Sequence, residues 1–598
     1  MKILLIGWEG VDHSAMIAPG RMPTVSQLRE TGRTIALPPP GRLAHPATAW
    51  TSLMTGKRPL KHRVFGGEEI APPQLGLRPI RAKNRHAKTV WEIVNQSGQI
   101  AYAMNWPASH DPPAIGPGAV VADLFFTSSD VSDWPAELQS LRLSPGELDD
   151  WTLSPLLPRP TPPGVAAAMR GFVAAAASVQ AVTTFLMERK PADLVAVRFP
   201  PVPAAVGAIE FLDLMLARLV ELAGPDCAVV LVAINQKDAG TVITRGGVGD
   251  EPRHAISPYD LAPTLLVKLG ISPGIDMDGR PNDQLFGPLA PVEPRISWES
   301  PAAIDPDIEE ISQSDESIRH LLELGYREYP DRHARHAIAR HRRRERFHLA
   351  LAHLEVGEAK EAAEILEALP GTSGPESVMV RSVLAEACFF AGRWQQCREV
   401  VENLISGGVN TPLAQAALSA LDAQDGEMDR ARHRLADVEL RAANDPVMLA
   451  TVAQIYLRMK DESSAERVVL AAMKLDANLP ALRETLGQIA MRRNDFESAA
   501  REFAIASAAR PDDFASRYHL GVALLRNGQA REAVSALRQA AALDRRGSPA
   551  VLRRLAEALA ECGDTVAAEQ YRWRARQLLR FRRGEGATQA EGAGGISR

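Results

Sequence analysis

Between about residue 343 and residue 580 the chain repeats itself every 34 or 35 residues, and this period limits its fold more than any other feature. A small residue recurs at Ala350, Ala385, Ser419, Ala453, Gly487, Gly521 and Ala556, at successive spacings of 35, 34, 34, 34, 34 and 35. Twelve positions after each stands a second small residue: Ala362, Cys397, Ala431, Ala465, Ala499, Ala533 and Ala568. Two helices and a turn fit one period, and the paired small residues let the two helices cross closely. The large residues about four positions further on (Leu366, Val401, Leu435, Val469, Phe503, Leu537, Trp573) are expected to fill the gap between repeats. A unit of this size cannot bury its apolar face alone and does so by stacking on its neighbours, which predicts an all-α solenoid of about seven repeats over 343–580.

The period and its pattern resemble tetratricopeptide repeats (TPR), most closely in Leu486-Gly487, Ala499, Phe503, Ala506 and Pro511. The resemblance implies that the first helix of each pair lines a concave groove that takes a partner peptide. Five residues after the small anchor, three consecutive repeats carry Arg458, Arg492 and Arg526; one residue after it, two carry Gln454 and Gln488. Stacked helices sit roughly 8–10 Å apart, so these side chains would form a ladder suited to carboxylates or phosphates. The expected partner is a protein or peptide with an acidic segment. Arg at a helix C-terminus also favours the helix dipole, which is the competing reason for these residues. Gln424 and Glu561 end the ladder on either side.

Residues 1–290 follow another grammar. Most of the 44 Pro precede residue 302, and short apolar runs alternate with helical patterns. Ile3–Ile6, Asp193–Val197 and Ala228–Ile234 read as buried strands. Pro23–Gly32, Lys88–Ser97, Ala204–Ala223 and Ser257–Gly270 read as helices. Such alternation predicts a parallel α/β sheet. Residues 291–342 read as a linker, with acid-rich Asp305–Glu316, a short helix over Glu316–Tyr326 and an Arg-rich start to the next helix. The tail, 581–598, is Gly- and Ala-rich and is expected to be disordered.

Several segments of this half resemble the alkaline phosphatase superfamily, nearest its type I phosphodiesterase and nucleotide pyrophosphatase branch. They are Leu4 to Asp12, Gly20 to Thr24, Ala49 to Pro59, Asn105 to Ala108, Asp260 to Leu266, Asp276 to Arg280 and Leu321 to Tyr326. The resemblance implies an alkaline-phosphatase-like α/β fold and two metals, usually zinc, that stabilise the attacking and leaving oxygens of a phosphoryl displacement. Each such metal needs about three protein ligands. The family's pattern places the first ligand at Glu9 and the nucleophile at Pro46, which has no nucleophilic atom; His45 and Thr48 are the nearest alternatives. The next ligand places fall on Pro203 and Gly207, and the following Asp-His pair on Asn235-Gln236. The last His has no counterpart before Asp238-Ala239-Gly240. A single carboxylate holds zinc poorly, so the domain is expected to be catalytically inactive and to need no cofactor. Glu9, Asp12, His45 and Thr48 remain as residual pocket candidates, with His13, His110 and His254 available to a rebuilt site. Thr51, Ser52 and Thr55 are expected to cap a helix and a turn.

These readings together predict a pseudoenzyme and protein-interaction scaffold. The alternative is a zinc-dependent phosphodiesterase or phosphohydrolase with a rebuilt site. A net charge of −5 gives no basic field for nucleic acid. Cys227, Cys388, Cys397 and Cys562 form no CxxC pair, which suits a reducing, cytoplasmic setting. No membrane span is expected; Val165 to Leu186 comes closest but reads as a soluble helix.

Overall fold

The computed structural model describes residues 2–299 and 332–582, apart from 12, 19, 38–44, 72–75, 111–117, 129–130, 133, 150–152, 158–161, 204–206, 236–239, 246–255, 294, 356–357, 370–374, 444–445, 475–479, 510–512 and 545–547. The expected helix at Glu316–Tyr326, the acid-rich segment before it, and 583–598 of the tail lie outside the described residues. Contacts divide the chain into two compact units, Met1–Leu369 and Pro370–Arg598.

The first unit is built on a mixed sheet. Its strands are β1 (Ile3–Glu9), β2 (Gly32–Leu37), β5 (Ala101–Met104), β6 (Ala119–Val121), β7 (Leu194–Arg198), β8 (Ala228–Ile234) and β9 (Gly240–Arg245), in the spatial order β2-β9-β8-β1-β7-β5-β6. A separate hairpin joins β3 (Glu68–Ala71) and β4 (Gly76–Pro79). The five strands from β8 to β6 are parallel. The expected parallel sheet holds for these five strands and stops at one edge, where β9 runs antiparallel to β8 and β2 antiparallel to β9. Only residues 235–239 join β8 to β9, and a parallel return needs a crossover of a dozen residues or more.

Strand β1 lies in the middle and is buried along its whole length. Its side chains alternate between two cores, as strand geometry requires. Leu4, Ile6 and Trp8 pack with helices Pro23–Thr31, Pro163–Arg189 and Ala208–Ala223. Ile3 and Leu5 pack with helices Pro46–Thr55, Val90–Gln96 and Leu261–Lys268. Helices therefore cover both faces, the layering that apolar parallel strands demand. Segment Gly164–Arg189 is long and apolar enough to cross a membrane by length and composition. Its Met169, Phe172, Val173, Ala176, Val179 and Val182 are instead packed in the core on the sheet.

The first repeat hairpin, helices Arg332–Glu355 and Ala359–Glu367, belongs to this unit, so the division falls one hairpin after residue 343. Ala352, Leu349 and Leu351 pack on Leu60 and Phe65. His348 Nδ1 lies 2.8 Å from the Phe65 carbonyl oxygen.

The second unit holds six helical hairpins: Pro375–Phe390 with Trp394–Ser406, Pro412–Gln424 with Met428–Arg441, Pro446–Arg458 with Glu462–Met473, Pro480–Arg492 with Phe496–Ala509, Phe514–Arg526 with Ala530–Leu543, and Pro549–Glu561 with Thr565–Arg582. Every small anchor and partner named above is buried. A Cβ on Gly487 would sit 2.8 Å from the Phe503 ring, and one on Gly521 would sit 2.5 Å from Leu537 Cγ, so the close crossing leaves no room for a methyl. Leu366, Val401, Leu435, Val469, Phe503 and Leu537 are each at most 2% exposed. Trp573 is the exception: it is 58% exposed and does not fill the gap assigned to it. It stands one place past the register of the others, and the matching position is Arg572.

Candidate functional site

Open α/β sheets bind ligands beyond the carboxyl ends of their strands. Glu9 ends β1 there, and its carboxylate is already engaged. Oε2 accepts a hydrogen bond from Trp50 Nε1 at 3.0 Å and pairs with Arg198 Nη1, at the end of β7, at 2.9 Å. Arg198 Nε also donates to the Asn105 carbonyl at 2.7 Å, while Asn105 Nδ2 donates back to the Arg198 carbonyl at 2.8 Å. Asn105 adopts φ 63° to do so, a left-handed conformation that Asn tolerates better than most residues. Asp123, just after β6, sits in the same field. Burial raises its pKa, against the opposing pull of Arg198, the Leu124 backbone and His110.

Arg198, Asn105 and Asp123 are not among the site residues that the sequence singles out. The first is the one charged residue of an otherwise apolar strand, but only the strand order brings it beside Glu9. Of the other candidates His110 adds its charge to the surroundings of Asp123, while among the described residues no hydrogen bond links His45 or Thr48 to Glu9. His45 caps helix Pro46–Thr55, its Nδ1 accepting from Ala47 N at 3.2 Å. Its ring faces Gly67, and its pKa is lowered by burial and by Arg344, with Glu68 opposing. Among the described residues Glu9 and His45 share no hydrogen-bond partner. Thr48 lies inside the helix rather than in a loop, fully buried, its Oγ1 without a hydrogen-bond partner among the described residues. Pro203 is half-buried. Gly207, at φ 92°, faces the Leu156 backbone, which a Cβ would meet at 2.6 Å. Asp12 and His254 lie outside the described residues, as does the side chain of His13. His110 lies near Asp123 and bridges backbone with Arg81. Among the described residues no group of three or more His, Cys, Asp or Glu could hold a metal ion.

Of the hydroxyls expected as caps, Thr55 does cap the turn after the helix, and the others are used differently. Thr51 and Thr55 donate back to the carbonyls of Ala47 and Thr51, and Thr55 Oγ1 accepts from Lys57 N at 3.3 Å. Ser52 Oγ is 3.0 Å from His62 Nε2, the outline of a nucleophile and its base. The tautomer is wrong for that role: His62 Nδ1 accepts from Val64 N, so Nε2 carries the proton and donates to Ser52. Both side chains are fully buried, and burial, then Arg85 and Lys57, lowers the His62 pKa to about 3. Two sequence segments noted above also lock to each other. The Gly56 carbonyl accepts from the Asp278 and Gly279 amides, and Lys61 Nζ bonds Asp278. Lys57 Nζ, buried, reaches Asp276 at 2.7 Å and Glu299 at 2.9 Å. Burial opposes the Lys57 charge, but those carboxylates outweigh it and hold the pKa above its ordinary value.

In the solenoid Arg458, Arg492 and Arg526 each end a helix. Arg458 lies over the rings of Phe389 (5.2 Å) and Trp394 (5.7 Å), and partial desolvation lowers its pKa. Arg492 and Arg526 are exposed and form no ion pair among the described residues. Gln454 Nε2 is 3.4 Å from Thr485 Oγ1, and Gln488 is half-buried.

A family profile described as tetratricopeptide repeat matches residues 378–403 and 515–539. The C-terminal part of the chain thus carries tetratricopeptide repeats, and such repeats imply a protein partner. No curated protein matches the chain. Solved structures similar to part of it include a chain titled MamA MSR-1 C2, 19% identical, covering 29% of this chain and 98% of that one, with a TM-score of 0.25. Another is MamA 41-end from Desulfovibrio magneticus RS-1, 21% identical over 28% of this chain and 96% of that one, also with a TM-score of 0.25.

Proposed function

We propose that this chain is a pseudoenzyme scaffold. Its α/β unit would descend from a hydrolase of the alkaline phosphatase type without retaining phosphoryl transfer or zinc, and its repeats would recruit the acidic segment of a protein partner. The observation that carries the first half is the pairing of Glu9 with Arg198. A guanidinium stands at the carboxylate that the family resemblance assigns to a metal, and a metal would have to displace a buried cation to bind there. Arg492 and Arg526 support the second half, being exposed guanidiniums one repeat apart. The four free cysteines suit a cytoplasmic setting.

Two measurements test the reading. Purified protein should contain no stoichiometric zinc and should not hydrolyse an aryl phosphodiester. Zinc-dependent turnover lost in Glu9→Gln would establish the rebuilt-site alternative instead. For the repeats, a partner's acidic peptide should bind about 1–3 kcal/mol more weakly to Arg492→Ala, as expected for charged hydrogen bonds. Capture unchanged in the Arg458/Arg492/Arg526 triple-Ala protein would reject this groove.

A further inference from the structure

A second surface, separate from the Arg ladder, lies near the end of the solenoid. Helices Ala530–Leu543 and Thr565–Arg582 leave a groove of about 590 Å³ between them, with Leu552 and Leu555 of helix Pro549–Glu561 in its lining. On one wall Ala541 and Ala542 keep the space open. On the other stand Tyr571 and Trp573, the tryptophan more than half exposed. Among the described residues that line it, Arg538 and Arg574 are the charged ones and none is acidic. Arg574 lies over the Tyr571 ring at 6.0 Å, and neither it nor Arg538 forms an ion pair among the described residues. Trp, Tyr and Arg around an apolar floor is the composition of interface hot spots. A groove between helices takes an amphipathic helix by its apolar face.

We propose that this groove docks an acidic amphipathic helix of a protein partner, its apolar stripe on Leu552, Leu578 and Trp573 and its carboxylates on Arg538 and Arg574. Charge complementarity selects the occupant: both charged lining residues are cationic in a chain of net charge −5. The chain's own tail fits poorly, because after Gly584 it offers one large apolar residue, Ile596, where a stripe needs several.

The test uses the full chain and a fluorescein-labelled synthetic helix with Leu on one face and Glu on its flanks, beside a counterpart with Lys for Glu. The Glu helix should bind and blue-shift an emission component that Trp573→Phe removes. Binding should weaken about tenfold or more in Trp573→Ala and in the Arg538→Glu/Arg574→Glu pair. The charge-reversed pair should gain the Lys helix. These side chains are exposed, so unchanged unfolding midpoints separate lost docking from lost folding. Four results would each overturn the proposal: no binding; binding indifferent to these variants but lost in the Arg458/Arg492/Arg526 triple-Ala protein; a Trp573 shift that follows self-association in sedimentation; or binding that appears only once residues 584–598 are removed.

Discussion

Replacing Glu9 by Gln tests whether the strand-end ion pair is a structural lock. The change keeps shape and removes the charge that answers Arg198. Glu9 and Arg198 side chains are only 11% and 9% exposed, so water cannot take over the lost partner. Breaking a buried pair while leaving its mate charged typically costs about 3–5 kcal/mol. Arg198→Met in a Glu9→Gln background should then cost far less than the two single changes added together, because no charge is left unanswered. Chemical denaturation followed by tryptophan emission is the suitable assay. Trp8, Trp50, Trp91, Trp106, Trp134, Trp151 and Trp298 precede residue 302, against only Trp394 and Trp573 in the repeats, so the signal reports chiefly the α/β unit. A loss below about 1 kcal/mol, the range of an exposed pair, would refute the lock. So would additive effects of the two substitutions.

Other outcomes follow from the same packing. Phe503→Ala should destabilise the repeats by about 3–5 kcal/mol, whereas Trp573→Ala should stay within about 0.5 kcal/mol, both read by chemical denaturation; equal costs would mean that Trp573 is not exposed. Gly521→Ala should cost about 1–3 kcal/mol by forcing Leu537 aside, measured the same way. His62 stays neutral in the folded protein, so below its unfolded pKa near 6.5 the unfolded chain binds the extra proton. Stability should therefore fall as pH drops toward about 3, the folded value, and an acid limb unchanged in His62→Gln would contradict this. Residues 375–582 should unfold cooperatively when expressed alone, since their six hairpins form one unit by themselves; a non-cooperative melt would count against that division.

The repeats were legible because their spacing is enforced at close quarters. A methyl at Gly487 or Gly521 would collide with the next helix, so small residues must recur where the sequence has them. Strands β1, β7 and β8 were legible as apolar runs, whereas β2, β5 and β6 were not. The reversal at β9 was less legible, since it depends on a short connection whose direction no periodicity encodes. The start of helix Pro46–Thr55 could have been read: Pro at the first position is preorganised for a helix, which makes Thr48 a helical residue. Arg198 could not have been placed beside Glu9, because the two are far apart in the sequence and meet only through the pairing of β1 with β7.

An array in which each repeat touches only its neighbours can fray from an end one unit at a time. Arg458 departs from that scheme by reaching past the Pro412–Arg441 hairpin to the aromatic rings of the hairpin before it. Cation–π contacts of this kind are worth about 0.5–2 kcal/mol. Opening the Pro375–Ser406 hairpin therefore strips a contact from Pro446–Met473 as well, and next-nearest units share one fate. Three consecutive hairpins are coupled into a cooperative block, and the solenoid resists local melting and bending there more than a chain of independent links would.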